Sequence, residues 1–136
     1  KNFEIVPYGD ILVGPGISAL HYGQSFFEGL KAYKHDDGTA SIFRPDKNAA
    51  RFNKSAERLC MPTMPEEVFL QSIAALVDLD RDWIPQKADH SLYIRPFMFA
   101  TDKFLGVYES HARAVFNSPS LPNNLVVNLT ISSSPG

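Results

Sequence analysis

Hydrophobic and polar positions repeat with different periods along the chain, and the period predicts the element. Leu30 to His35 and Thr39 to Arg44 are short segments rich in β-formers that flank Asp36-Asp37-Gly38. An Asp-Gly pair supplies the positive φ of a tight turn, so this stretch predicts a hairpin. After Arg44-Pro45-Asp46 the period changes, and Ala49, Phe52, Ala56 and Leu59 fall at helical spacing, predicting a helix over about 46–59. Thr63-Met64-Pro65-Glu66 has the form of a capping box with an early proline. Phe69, Ile73, Leu76 and Val77 follow it until Pro85 ends the pattern, predicting a second helix over about 64–82. Leu92 to Ala100 and Leu125 to Ser132, rich in aromatic and β-branched residues, predict strands. The opening reads as extended, with Ile11-Leu12-Val13 running into the turn chemistry of Gly14-Pro15-Gly16, and the stretch from Ala19 to Gly29 is ambiguous. Residues 108–124, containing Pro119 and Pro122, read as an irregular connection. This mixed order of strands and helices favours an α+β layer structure.

Composition narrows the picture. The chain has 136 residues, 44% of them hydrophobic and 21% charged, which is enough for one core and far from the composition of a disordered protein. No internal repeat or shift in composition divides it, so residues 1–136 read as one domain. A net charge of -2 leaves no cationic excess to neutralise a nucleic-acid backbone. No apolar run approaches the roughly twenty residues of a membrane span. The single Cys60 and the absence of a leader at residues 1–15 point to the cytoplasm. His21, His35, His90 and His111 show no metal-ligand spacing, so no metal site is expected.

Few residues suggest chemistry by themselves. Glu28 and the series Asp78, Asp80 and Asp82 could in principle act as acids or bases, but the series has the spacing of a solvated helix face. Arg95 lies inside the apolar segment Leu92-Tyr93-Ile94-Arg95-Pro96-Phe97, where alternation puts Tyr93, Arg95 and Phe97 on one face. A cation there needs an anionic partner, and a structural ion pair or an edge position reaching solvent would supply the bland explanation. Arg51 shares a helix face with Ser55 and Arg58, away from Phe52 and Ala56, and a solvated face explains it equally well.

The string Leu20-His21-Tyr22-Gly23-Gln24-Ser25-Phe26-Phe27-Glu28-Gly29-Leu30-Lys31-Ala32-Tyr33 closely resembles the branched-chain amino-acid aminotransferases. So do Phe43-Arg44-Pro45 with Asn48-Ala49-Ala50-Arg51-Phe52 and Ser55-Ala56-Glu57-Arg58-Leu59, and Ser91-Leu92-Tyr93-Ile94-Arg95-Pro96 with Leu105-Gly106-Val107. Together they cover about residues 7–107. The resemblance implies a fold-type-IV pyridoxal-phosphate enzyme whose small N-terminal α+β domain, a mostly antiparallel sheet with two main helices packed on it, precedes a larger C-terminal domain. This chain looks like the small domain only.

The implied reaction moves an amino group between leucine, isoleucine or valine and 2-oxoglutarate with pyridoxal 5'-phosphate as cofactor. The resemblance further implies that Arg51 binds the cofactor phosphate, that Phe27, Tyr93 and Arg95 face the substrate, and that Tyr22 and Val107 reach the other subunit's site in a homodimer. None of Lys1, Lys31, Lys34, Lys47, Lys54, Lys87 and Lys103 corresponds to the Schiff-base lysine, so the catalytic lysine is expected in the absent domain and this chain alone is expected to be inactive. The chain departs from the family in lacking the upstream segment with a further substrate-wall aromatic, and in the length of the connection after Val107. A D-amino-acid transaminase or aminodeoxychorismate lyase of the same fold, or a non-catalytic dimerising or ligand-binding remnant, are the alternatives.

Overall fold

A computed structural model describes residues 2–87, 89–102, 112–117 and 125–131. In chain order the elements are β1 (Asn2–Pro7), α1 (Ser18–Tyr22), β2 (Ser25–Phe27), β3 (Leu30–Lys34), β4 (Ala40–Ile42), α2 (Pro45–Arg58), α3 (Glu66–Leu79), a 3-10 turn (Arg81–Trp83), β5 (Leu92–Ala100), β6 (Ala112–Asn117) and β7 (Leu125–Ile131). The strands form one antiparallel sheet in the order β1-β7-β6-β5-β3-β4, and β2 also pairs with β5. The expected α+β class, a mostly antiparallel sheet carrying two main helices, is the observed one.

The hairpin forms as its sequence dictates. Gly38 takes φ +82°, its N–H donates to the His35 carbonyl at 2.9 Å, and the His35 N–H donates to the Thr39 carbonyl at 2.8 Å. This is a three-residue loop closed by a left-handed glycine, and Asp37 Oδ1 adds bonds from the Thr39 N–H and hydroxyl.

Helix α2 begins at Pro45, whose fixed φ suits the first helical position, and buries Ala49, Phe52 and Ala56. Helix α3 corrects the expected capping box. Pro65, not Thr63, is its cap residue, and no side chain caps it. With the first helical residue at Glu66, Thr63 lies too early to reach the orphan N–H groups. The approach to α3 is held from α2 instead, where the Asn53 side chain accepts from the Met64 N–H at 2.9 Å and donates to the Met64 carbonyl at 2.8 Å. The helix stops at Leu79, short of the expected end. Asp80, expected on a solvated face, is the buried cap that opens the 3-10 turn.

The core lies between the two helices and one face of the sheet. Phe52 is its hub, with ring centroids 4.7 Å from Phe26 on β2 and 5.2 Å from Phe69 on α3. Leu30, Ala32, Leu92, Ile94, Met98, Ile73 and Leu76 fill the space around it. On the opposite face the segment before α1 covers part of β5, with Ile17 packed on Phe99 beside Ile11 and Phe97. Among the described residues no helix is long and apolar enough to cross a membrane.

Candidate functional site

The site grows from one proline. On the side of β5 that pairs with β2 and β3, Phe27 lies opposite Phe97 and Leu30 opposite Ile94, so a single register runs through both pairings. Between them Glu28 faces Pro96 and donates its N–H to the Pro96 carbonyl at 2.8 Å. The return bond cannot form because proline has no N–H, and the strand is split there into β2 and β3.

Alternation through this gap sends consecutive side chains to opposite faces of the sheet. Phe26, Glu28 and Leu30 point towards the helices, and Phe27 points away with Arg95 and Phe97. Glu28 is only 5% exposed, yet it is not left alone in the core. Arg51 on α2 reaches it with two parallel hydrogen bonds, Nε to Oε1 at 2.6 Å and Nη2 to Oε2 at 2.7 Å. Asn48, one turn earlier, donates to Oε2 at 3.0 Å and to the Gly29 carbonyl at 3.2 Å. Burial raises the Glu28 carboxyl pKa, but the hydrogen bonds from Arg51 and Asn48 and the Arg51 charge outweigh it, and the group stays below the ordinary carboxylate value. The same bonds raise Arg51.

Arg51 itself is not buried; its side chain is 65% exposed. A guanidinium carries five N–H donors, and the fork on Glu28 uses two of them along one edge. The other edge is turned away from the carboxylate, available to an anion.

On the opposite face Arg95 is clamped by aromatics. Its guanidinium carbon sits 4.2 Å from the Phe27 ring centroid and 5.3 Å from that of Tyr93, and Nη2 donates to the Tyr93 hydroxyl at 3.0 Å. Its buried Nε–H has no acceptor among the described residues. Gly29 makes room for this arrangement, since a Cβ there would stand 2.9 Å from the Tyr93 hydroxyl. Ser25, Phe26, Phe27, Arg95 and Phe97 line an open depression of about 630 Å³. An apolar wall with one fixed cation suits a ligand that is part hydrocarbon and part carboxylate.

Phe27, Tyr93 and Arg95 are therefore brought together on one face, and among the described residues Arg95 shows no ion pair, one of the two bland explanations open to it. Arg51 is a free-edged cation on the other face, joined to that group through Phe27-Glu28-Gly29. Tyr22 lies exposed at the end of α1. Val107 lies outside the described residues. Glu28 was weighed in the sequence as an acid or base, and its role as the buried anchor of Arg51 was missed. The signal was present: continuing the β5 alternation through β2 would have put a carboxylate among core positions, where it needs a cationic partner. Among the described residues no cluster of His, Cys, Asp or Glu could hold a metal ion.

No family model matches the chain. It is 52% identical over 110 residues to a probable branched-chain-amino-acid aminotransferase of Staphylococcus epidermidis, a match spanning 81% of this chain and 30% of that protein. It is 49% identical over 109 residues to branched-chain-amino-acid transaminase 1 of Bacillus subtilis, spanning 80% of this chain and 31% of the relative. The fold is similar to a branched-chain amino acid aminotransferase solved in complex with N-(5'-phosphopyridoxyl)-L-glutamate, with a TM-score of 0.57 and 29% identity over 91% of this chain and 38% of that one. The same enzyme has also been solved with 4-methylvaleric acid. The Escherichia coli branched-chain amino acid aminotransferase is similar too, with a TM-score of 0.59 and 27% identity over 96% of this chain and 38% of that one. The chain thus spans about 30% of the length of the curated relatives it matches.

Proposed function

We propose, from its homology to the branched-chain-amino-acid aminotransferases, that this chain is the small N-terminal domain of a pyridoxal-phosphate transaminase exchanging amino groups between leucine, isoleucine or valine and 2-oxoglutarate. The observation that carries this reading is the tripeptide Phe27-Glu28-Gly29, whose alternating positions set a free-edged arginine on one face of the sheet and an aromatic-clamped arginine on the other. The first fits a phosphate: a planar, permanently charged fork with an exposed donor edge is suited to bidentate oxyanion contacts. The second fits a substrate that brings either a branched hydrocarbon or a second carboxylate. Two ligands solved on one similar enzyme, a phosphopyridoxyl-glutamate adduct and 4-methylvaleric acid, have those chemistries.

Arg51 would hold the phosphate, Phe27 would form the apolar wall, and Tyr93 would orient Arg95 towards the side-chain carboxylate of glutamate. The bound cofactor supplies the electron sink that the reaction requires. The lysine that handles the substrate α-proton belongs, in this reading, to a second domain, and Tyr22 and Val107 reach across a homodimer to the partner's site. The protein is read as cytoplasmic and as serving branched-chain amino-acid biosynthesis.

The test is a split between half-reactions in the full-length protein. Arg95→Leu should lower kcat/KM for glutamate by about ten- to a hundred-fold, the range of a lost charge-assisted contact, and leave leucine within a few-fold of the parent. Equal losses for both substrates would make Arg95 a structural residue and remove the reading.

A further inference from the structure

We infer that Glu28 is a positioning residue for anion binding: it fixes the plane of the Arg51 guanidinium so that its outer edge is presented to a phosphate. The inference rests on the phosphate role proposed for Arg51. A carboxylate behind a phosphate-binding arginine is unexpected on charge alone, since it repels the ligand and already satisfies part of the cation. Its placement explains it. Glu28 is buried, held by its N–H on Pro96 and by Asn48 on its Oε2, so it has no freedom to follow Arg51. Arg51 is on the surface, where a free arginine side chain would sample many rotamers.

Two parallel bonds at 2.6 and 2.7 Å fix both the position and the plane of the guanidinium before any ligand arrives. Ordering done in advance is not charged against binding. Repulsion works the other way, but it acts through a guanidinium that lies between the two anions and next to solvent, where charge interactions are weak. Preorganisation is therefore the larger effect. A second consequence concerns the opposite face of the sheet. Because Glu28 sits between Phe27 and Gly29, anchoring its backbone to Pro96 ties the Arg51 fork to the strand that carries Arg95.

The experiment uses the full-length protein freed of cofactor and measures equilibrium binding of pyridoxal phosphate and of pyridoxal, which lacks the phosphate, by absorbance titration. Glu28→Gln should weaken pyridoxal phosphate about ten-fold, the scale of one charge-assisted hydrogen bond, and leave pyridoxal unchanged. Unchanged pyridoxal binding also reports an intact fold. Asn48→Ala, which frees one side of the carboxylate and keeps the ion pair, should give a smaller loss in the same direction. It supplies the answer if Glu28→Gln does not fold. In an Arg51→Ala background, Glu28→Gln should have no further effect. If Arg51→Ala weakens pyridoxal phosphate but Glu28→Gln and Asn48→Ala leave it unchanged or tighten it, the positioning role is wrong. If Arg51→Ala itself has no effect, the phosphate reading fails first.

Discussion

Glu28 shows how one residue's surroundings set its protonation and, through it, the stability of the fold. Its carboxyl is held below the ordinary value of 4.5 because bonds and charge from Arg51 and Asn48 outweigh the burial that would raise it. A carboxylate whose pKa is lower folded than unfolded stabilises the fold above the unfolded value, and that contribution disappears as pH falls through the folded value. Stability should thus be fully present near neutral pH and decline below about pH 4.5. Asp37 and Asp46, lowered by hydrogen bonds from Thr39 and Arg44, add to the same acid slope from the surface. The contribution of Glu28 is isolated by difference. Thermal melts from pH 7 down to pH 3 should show a shallower acid decline for Glu28→Gln than for the parent, and identical slopes would mean that the buried pair contributes nothing to acid stability.

At the scale of elements, legibility followed length and autonomy. Leu92 to Ala100 was readable as β5 to the residue, because nine residues rich in aromatic and β-branched side chains carry their own signal, with buried and half-buried positions alternating over the first seven. Helices α2 and α3 were readable from their apolar faces, with ends shifted by one to three residues where a cap or proline decided the boundary. Helix α1 has five residues and no side-chain cap, β2 has three residues, and neither has a period long enough to detect. Such pieces exist because β5 is there to receive them. The strand β6 lay inside residues read as irregular, since it gains its partners only when β5 and β7 are placed on either side. The same cause hid which cation serves Glu28: Arg51 is 23 residues away, and only the packing of α2 on the sheet pairs the two. The Asn53 clamp on Met64, equally invisible in the sequence, offers an element-level test. Asn53→Ala leaves a part-buried N–H and carbonyl without partners and should cost about 1–3 kcal/mol, read from the urea midpoint at constant m-value. A loss below about 0.5 kcal/mol, typical of surface substitutions, would show that the entry to α3 is held by the Met64 side chain alone.

At the scale of the molecule, the described residues hold two anion-receptive arginines but no lysine suited to covalent work on a carbonyl. Lys31, Lys47, Lys54 and Lys87 lie open or partly open to water, and Lys34 is half-buried. A nucleophilic lysine needs a neutral amine, which enzymes obtain by desolvation in an apolar site or by crowding with other cations. Positions open to water provide neither. Lys31 shows the point most clearly, because it lies directly opposite Tyr93 in the β3–β5 register and is still solvated. In the proposed reading grip and chemistry are separable, with this chain supplying the grip. The 136-residue chain by itself should therefore show no turnover of leucine. Mixed with pyridoxal phosphate and reduced with borohydride, it should carry scattered, substoichiometric label over several surface lysines when its peptides are mapped by mass spectrometry. One stoichiometric label at a single lysine, accompanied by turnover of leucine, would show that the chain carries its own catalytic amine and would overturn the division of labour proposed for it.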